Sequence, residues 1–103
     1  MTEQSIVRGA LFEGRIATLT LNRPDRKNAL GPDDWFSLAV NLDEIRFDTG
    51  VRAVLIRGNG GAFSAGGDLR TMPERLERPP MVREQQLRRD AQVIRMLYEL
   101  EQP

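Results

Sequence analysis

Residues 58–69, GNGGAFSAGGDL, hold five glycines and two alanines among Phe63, Ser64 and Asp68. Such a stretch offers a ligand backbone amides rather than side chains, because glycine permits positive φ and close approach of the backbone. If Leu69 opens a helix, the amides of Gly67 and Asp68 also sit at the positive end of its dipole. An anion, or an oxygen that gains negative charge during a reaction, would be stabilised there.

Spacing tests the familiar glycine motifs. A phosphate loop of the Walker type requires Lys-Ser/Thr directly after its second glycine, and no Lys follows a glycine in this chain. A dinucleotide fingerprint requires glycine at 58, 60 and 63, but Phe63 occupies the third place. The nucleophile elbow is approached at A-F-S-A-G, residues 62–66, yet its first glycine is Ala62 and the chain has no His to activate Ser64. The alternative to a binding loop is a tight strand-to-helix connection, with Phe63 as a core plug and Asp68 as a helix-start charge.

The absence of Cys and His removes disulfides, thiol nucleophiles, zinc sites built on those ligands and triads with an imidazole base. No metal site is expected. Glu74, Glu77 and Glu84 are not spaced as a carboxylate pair for general acid/base work and read as solvated.

The loop must be positioned by the elements around it. Residues 6–12 and 15–22 are β-prone and joined at Glu13 and Gly14, which predicts a hairpin. Ala17, Leu19 and Leu21 share one face of the second strand and should meet the core. After the polar segment DRKNALG, Pro32 fits the first turn of a helix that carries Trp35, Leu38, Ala39, Leu42 and Ile45 inward and ends near Asp48 to Gly50. VRAVLIRG, residues 51–58, stays apolar from Ala53 to Ile56 and reads as a buried parallel strand. Strand, crossover helix and strand form a βαβ unit, with ligand loops at the carboxyl ends of the strands. Residues 69–72 open a short helix, and Pro73, Pro79 and Pro80 among charges mark a mobile surface stretch. Residues 81–102 read as a helix with Leu87, Ala91, Ile94, Leu97, Tyr98 and Leu100 on its apolar side. The apolar strand lacks neighbours to cover it, so further sheet is expected beyond Pro103.

The 103 residues suit one small domain, and their 15 basic and 15 acidic side chains balance. Neither nucleic acid nor membrane is expected as a partner. The start of the chain lacks the pattern of a secretory signal, and a cytoplasmic setting is the expectation.

Together, LTLNRPDRKNAL, VRAVLIRGNGGAFSAGGDL and LEQP resemble the enoyl-CoA hydratase/isomerase (crotonase) superfamily, in the family's order. The resemblance covers essentially all of the chain and the N-terminal portion of the family's domain, so residues 1–103 are expected to be the N-terminal part of an acyl-CoA-binding domain. It implies an α/β fold of repeated ββα units, here incomplete: hairpin, helix, parallel strand, glycine-rich loop and C-terminal helix. It also implies acyl-CoA substrates, a homo-trimer or hexamer when complete, and no cofactor beyond the coenzyme A that is part of the substrate.

In that family, two backbone amides form an oxyanion hole for the thioester oxygen, and Gly67 stands where the first donor does. Ala65, Gly66, Asp68 and Leu69 carry over as substrate-binding loop positions. Arg26 and Lys27 carry over to the turn that approaches the CoA phosphates and pantetheine, although charged turn residues are commonly just solvated. The resemblance implies hydration of a 2-enoyl-CoA, or isomerisation, by the complete enzyme. The alternatives are a noncatalytic CoA-binding or assembly fragment and a nucleotide-binding α/β module, the latter disfavoured by the failed loop motifs. The family often has Ala where Gly67 stands. Its second oxyanion glycine and its acid/base glutamates are expected beyond Pro103.

Overall fold

The computed structural model describes residues 4–103. Strands β1 (Ile6–Leu11) and β2 (Ile16–Leu21) form the expected hairpin. They run antiparallel with Ile6 opposite Leu21 and Leu11 opposite Ile16. The apolar face of β2 meets the core as expected, with Ala17, Leu19 and Leu21 buried, and Thr18 on the opposite face is buried as well.

A single 3-10 turn (Pro24–Arg26) leads into helix α1 (Pro32–Arg46), which has Pro32 in its first turn. The Asp34 carboxylate accepts the Gly31 N–H at 2.7 Å, and the Asp34 N–H donates to the Gly31 carbonyl at 3.1 Å. These reciprocal bonds satisfy amides that a helix start leaves open. Leu38, Leu42 and Ile45 are buried, and Trp35 and Ala39 pack against the same cluster. Leu42 and Ile45 are fully enclosed, and enclosure of each stabilises the fold by about 2 kcal/mol.

Strand β3 (Ala53–Gly58) lies parallel to β2, with Ile16 opposite Ala53 and Leu21 opposite Gly58. The sheet order is therefore β1-β2-β3, with α1 as the crossover. The expectation of a buried strand is not met: β3 is half-buried and Leu55 is 44% exposed. Val54 and Ile56 pack against the core, whereas Leu55 alternates to the opposite face of the strand. On its outer edge the Val54 N–H donates to the carbonyl of Pro103 at 2.7 Å.

The short helix expected to open at residues 69–72 is present, and the prolines of residues 73–80 lie in or beside helices. A 3-10 turn (Leu69–Thr71) runs into helix α2 (Met72–Glu77), and helix α3 (Pro80–Glu99) follows. Pro73 occupies the first turn of α2 and Pro80 that of α3, where a missing N–H costs nothing. The expected apolar side of α3 is met at Leu97 and Leu100 and corrected at Leu87, Ala91, Ile94 and Tyr98. Val93 is buried, and Met96, Leu97 and Leu100 pack against the core. Leu87, Ala91, Ile94 and Tyr98 face outward. No helix among the described residues is long and apolar enough to cross a membrane.

Candidate functional site

The loops that follow the two parallel strands meet at the carboxyl ends of β2 and β3, where an α/β sheet presents ligand sites. The first, residues 22–31, holds Lys27 and Asn28 in consecutive left-handed conformations, φ 52° and 56°. Asn tolerates this region better than most residues. Asn28 is also buried, at 1% exposure. Its Oδ1 accepts the Arg23 N–H at 2.8 Å, and its Nδ2 donates to the carbonyls of Asn59 and Ala62, each at 2.9 Å. One side chain thus satisfies three backbone groups from two loops.

More bonds lace the loops together along residues 64–68. The Ala65 N–H donates to the Lys27 carbonyl at 2.9 Å. The Ser64 hydroxyl donates to the Asn28 carbonyl at 2.8 Å and accepts the Gly66 N–H at 3.0 Å. Ser64 is therefore a structural hydroxyl, in keeping with the missing His. The Leu30 N–H donates to the Gly66 carbonyl at 2.7 Å, and the Asp68 N–H donates to the Leu30 carbonyl at 3.0 Å. Leu30 and Gly67 consequently form a parallel bridge.

That bridge sets the direction of one amide. The Gly66 carbonyl and the Gly67 N–H belong to the same peptide group, and no peptide bond among the described residues is cis. In a trans peptide the N–H points opposite to the C=O. With the Gly66 carbonyl held by Leu30, the Gly67 N–H points away from the Leu30 segment. Among the described residues it donates to no protein acceptor, whereas the amides of Gly66 and Asp68 on either side are both bonded.

Asp68 is buried at 5% exposure. Its Oδ2 meets Arg26 Nη1 at 3.0 Å, and its Oδ1 accepts the Arg70 N–H at 3.1 Å and faces Arg70 Nε at 3.3 Å. The expected helix-start role is present, since Arg70 lies in the 3-10 turn that begins at Leu69. The Arg70 N–H holds the Asp68 carboxyl below its ordinary value of 3.8, aided by the Arg70 and Arg26 guanidinium groups and opposed by burial. A folded-state value below the unfolded one gives stability that is complete above the unfolded value and lost as pH falls through the folded one. Thermal unfolding of the native protein and of Asp68→Asn should therefore differ most near neutrality. The difference should shrink below about pH 4; one independent of pH would contradict the coupling.

The remaining expected site residues are distributed as follows. Ala65, Gly66, Gly67 and Leu69 lie exposed along the loop, with Leu69 at 77%. Lys27 is exposed at the turn, but Arg26 is turned inward onto Asp68, with its side chain 23% exposed. Phe63, weighed as a core plug, is 60% exposed and plugs nothing. Glu74 and Glu84 are exposed and pair with Arg78 and Arg88 at 3.1 and 2.7 Å, and Glu77 is exposed as well. A cavity of about 400 Å³ between the C-terminal ends of α1 and α3, walled by Leu42, Phe47, Met96 and Leu100, shares no residue with the glycine loop.

Sequence reasoning passed over Asn28 and Asp34. A polar side chain in a polar turn carries no linear mark of burial. Asp34 had a faint signal, lying three residues after Gly31 at the spacing of a capping box. For Asn28 the prediction is direct. Asn28→Ala leaves three partly buried backbone bonds unmade, and each unmade bond is destabilising by about 1 kcal/mol. The expected loss is about 2–3 kcal/mol in urea denaturation. A loss below about 1 kcal/mol would show that water replaces the side chain.

The profile of the enoyl-CoA hydratase/isomerase family matches residues 16–103. The chain belongs to that family. A putative enoyl-CoA hydratase of Thermus thermophilus is 49% identical over 57 residues, covering 55% of this chain and 22% of that protein. A probable enoyl-CoA hydratase of Mycobacterium bovis is 39% identical over 94 residues, covering 85% of this chain and 32% of that protein. An enoyl-CoA hydratase/isomerase crystal structure from Xanthobacter autotrophicus Py2 superposes with a TM-score of 0.88 at 32% identity, over 99% of this chain and 37% of that one. The enoyl-CoA hydratase/isomerase segment described here thus spans between 22% and 37% of the length of these three relatives.

Proposed function

We propose that residues 1–103 supply the first amide of an oxyanion hole for an acyl-CoA thioester, and that the enzyme adds water to a 2-enoyl-CoA. The observation that carries this reading is the Gly67 N–H, aimed away from Leu30 and without a protein acceptor among the described residues. When water attacks C3 of the conjugated thioester, the double-bond electrons move toward the carbonyl and charge gathers on its oxygen. The water gives up one proton as its oxygen bonds C3, and delivery of one proton to C2 then completes the 3-hydroxyacyl thioester. A preset N–H stabilises the charged oxygen with little reorganisation, because the loop already holds it in place. Ala65, Gly66 and Leu69 line the approach of the thioester, and the exposed Lys27 is the cation left to meet a CoA phosphate. The exposed, paired Glu74 and Glu84 are not poised as acid or base. This reading places the acid/base groups and the second donor outside the segment, and takes the family's trimer or hexamer as the assembly.

The enzyme is tested with 2-enoyl-CoA and 3-enoyl-CoA by chromatography of the CoA products. Formation of 3-hydroxyacyl-CoA is the expected result. Interconversion of the two enoyl thioesters would reassign the reaction to isomerisation, and release of free CoA to hydrolysis. No turnover of either thioester would overturn the reading.

A further inference from the structure

The peptide group that carries the Gly67 N–H has little steric support. Side-chain positions built on Gly66 and Gly67 meet nothing within 4 Å. Its orientation depends on the Leu30 bridge, so it depends on whatever holds the turn of residues 23–30 against the loop. Asp68 is the residue after Gly67, and its buried carboxylate reaches back across the two loops to Arg26, four residues before Leu30. The same residue donates its N–H to the Leu30 carbonyl. It therefore clasps the turn with both backbone and side chain, adjacent to the free amide.

We infer that Asp68, through its ion pair with Arg26, is a positioning residue that holds the Gly67 N–H in the direction required by the thioester oxygen. The inference rests on the function proposed above. The charged groups around the Asp68 carboxylate are Arg26 on the turn and Arg70 on the following 3-10 turn, with Asp34 of α1 nearby across Gly31. Arg70 is a local partner two residues away. Arg26 alone of the two arginines spans the loops, so the positioning effect should follow Arg26.

The test uses the whole enzyme with a 2-enoyl-CoA, together with glycine-selective labelling that reports the Gly67 amide resonance. In Asp68→Asn and Arg26→Gln, kcat is expected to fall about tenfold with KM within about threefold, a fraction of what deleting an oxyanion donor removes. The Gly67 resonance should move in both variants. The double variant should be little worse than either single one, because both break one interaction. Arg26→Lys should recover part of kcat. If Asp68→Asn does not fold, the Arg26 variants carry the test from the more exposed side of the pair. An unmoved Gly67 resonance, or kcat within about twofold of the native enzyme, overturns the positioning role. Near-native turnover by Gly67→Pro instead overturns the oxyanion reading beneath it, and this inference with it, so the two failures are told apart.

Discussion

Turnover of a 2-enoyl-CoA should fall by roughly 10²–10³-fold in kcat/KM when Gly67 is replaced by proline, the range found when one oxyanion donor is removed. Proline has no backbone N–H, so the substitution deletes the Gly67 amide, which points away from the Leu30 bridge and has no protein acceptor among the described residues. The comparison that isolates this effect is Gly67→Ala. No atom of the described residues lies within 4 Å of a side chain built there, and the φ of Gly67 lies outside the left-handed range. Alanine keeps the donor, and its loss should stay under about tenfold. Proline also narrows the backbone choices of the residue before it, and Gly66 sits at φ 91°. Unfolding midpoints for both variants must therefore accompany the rates. A proline variant that unfolds like the native enzyme and retains more than about a tenth of its kcat/KM would remove the Gly67 amide from the mechanism.

The parts of this site that were legible in the sequence are those set by local pattern. Alternation in β2, the heptad-like stripe of α1 and the glycine run after β3 each announce themselves within a few residues. Together they place two loops at the same end of a parallel pair. The resemblance of three motifs then supplied a role for Gly67 that spacing alone left undecided between a binding loop and a plain connection.

What was not legible depends on partners distant in sequence. Along α3 and its C-cap residue Leu100 two apolar stripes share helical spacing, Leu87, Ala91, Ile94 and Tyr98 on one side and Val93, Met96, Leu97 and Leu100 on another, and the expected apolar side drew from both. Periodicity cannot choose between them. Contact with the α1 core chooses the second. The run in β3 resembled a strand covered on both faces, but burial depends on what lies against each face, and here Val54 and Ile56 pack against the core while Leu55 alternates to the opposite face. Arg26 looked like a solvated or phosphate-facing cation because its partner, Asp68, is 42 residues away.

The glycine at the end of β3 answers a different demand from Gly67, and Gly58→Ala should show it. A side-chain carbon built on Gly58 would collide with the carbonyl oxygens of Ala62 and Phe63 and would come within 2.6 Å of the Phe63 Cα. All three are backbone atoms, so no rotamer change relieves the contact, and the loop from 59 to 63 has to move. That loop is also where Asn28 Nδ2 donates, to the carbonyls of Asn59 and Ala62. Displacing it adds the loss of those bonds, about 1 kcal/mol each, to an overpacking penalty of about 1–3 kcal/mol. The expected destabilisation is about 4 kcal/mol in urea denaturation, against less than about 1 kcal/mol for Gly67→Ala, where no collision occurs. Because Ala65 and Gly66 are tied to the Asn28 turn downstream of the collision, turnover should fall as well, even at temperatures where the variant remains folded. Equal stability of the two alanine variants would mean that the loop yields freely. In that case the close packing of residues 62 and 63 over Gly58 would not be what anchors the glycine loop.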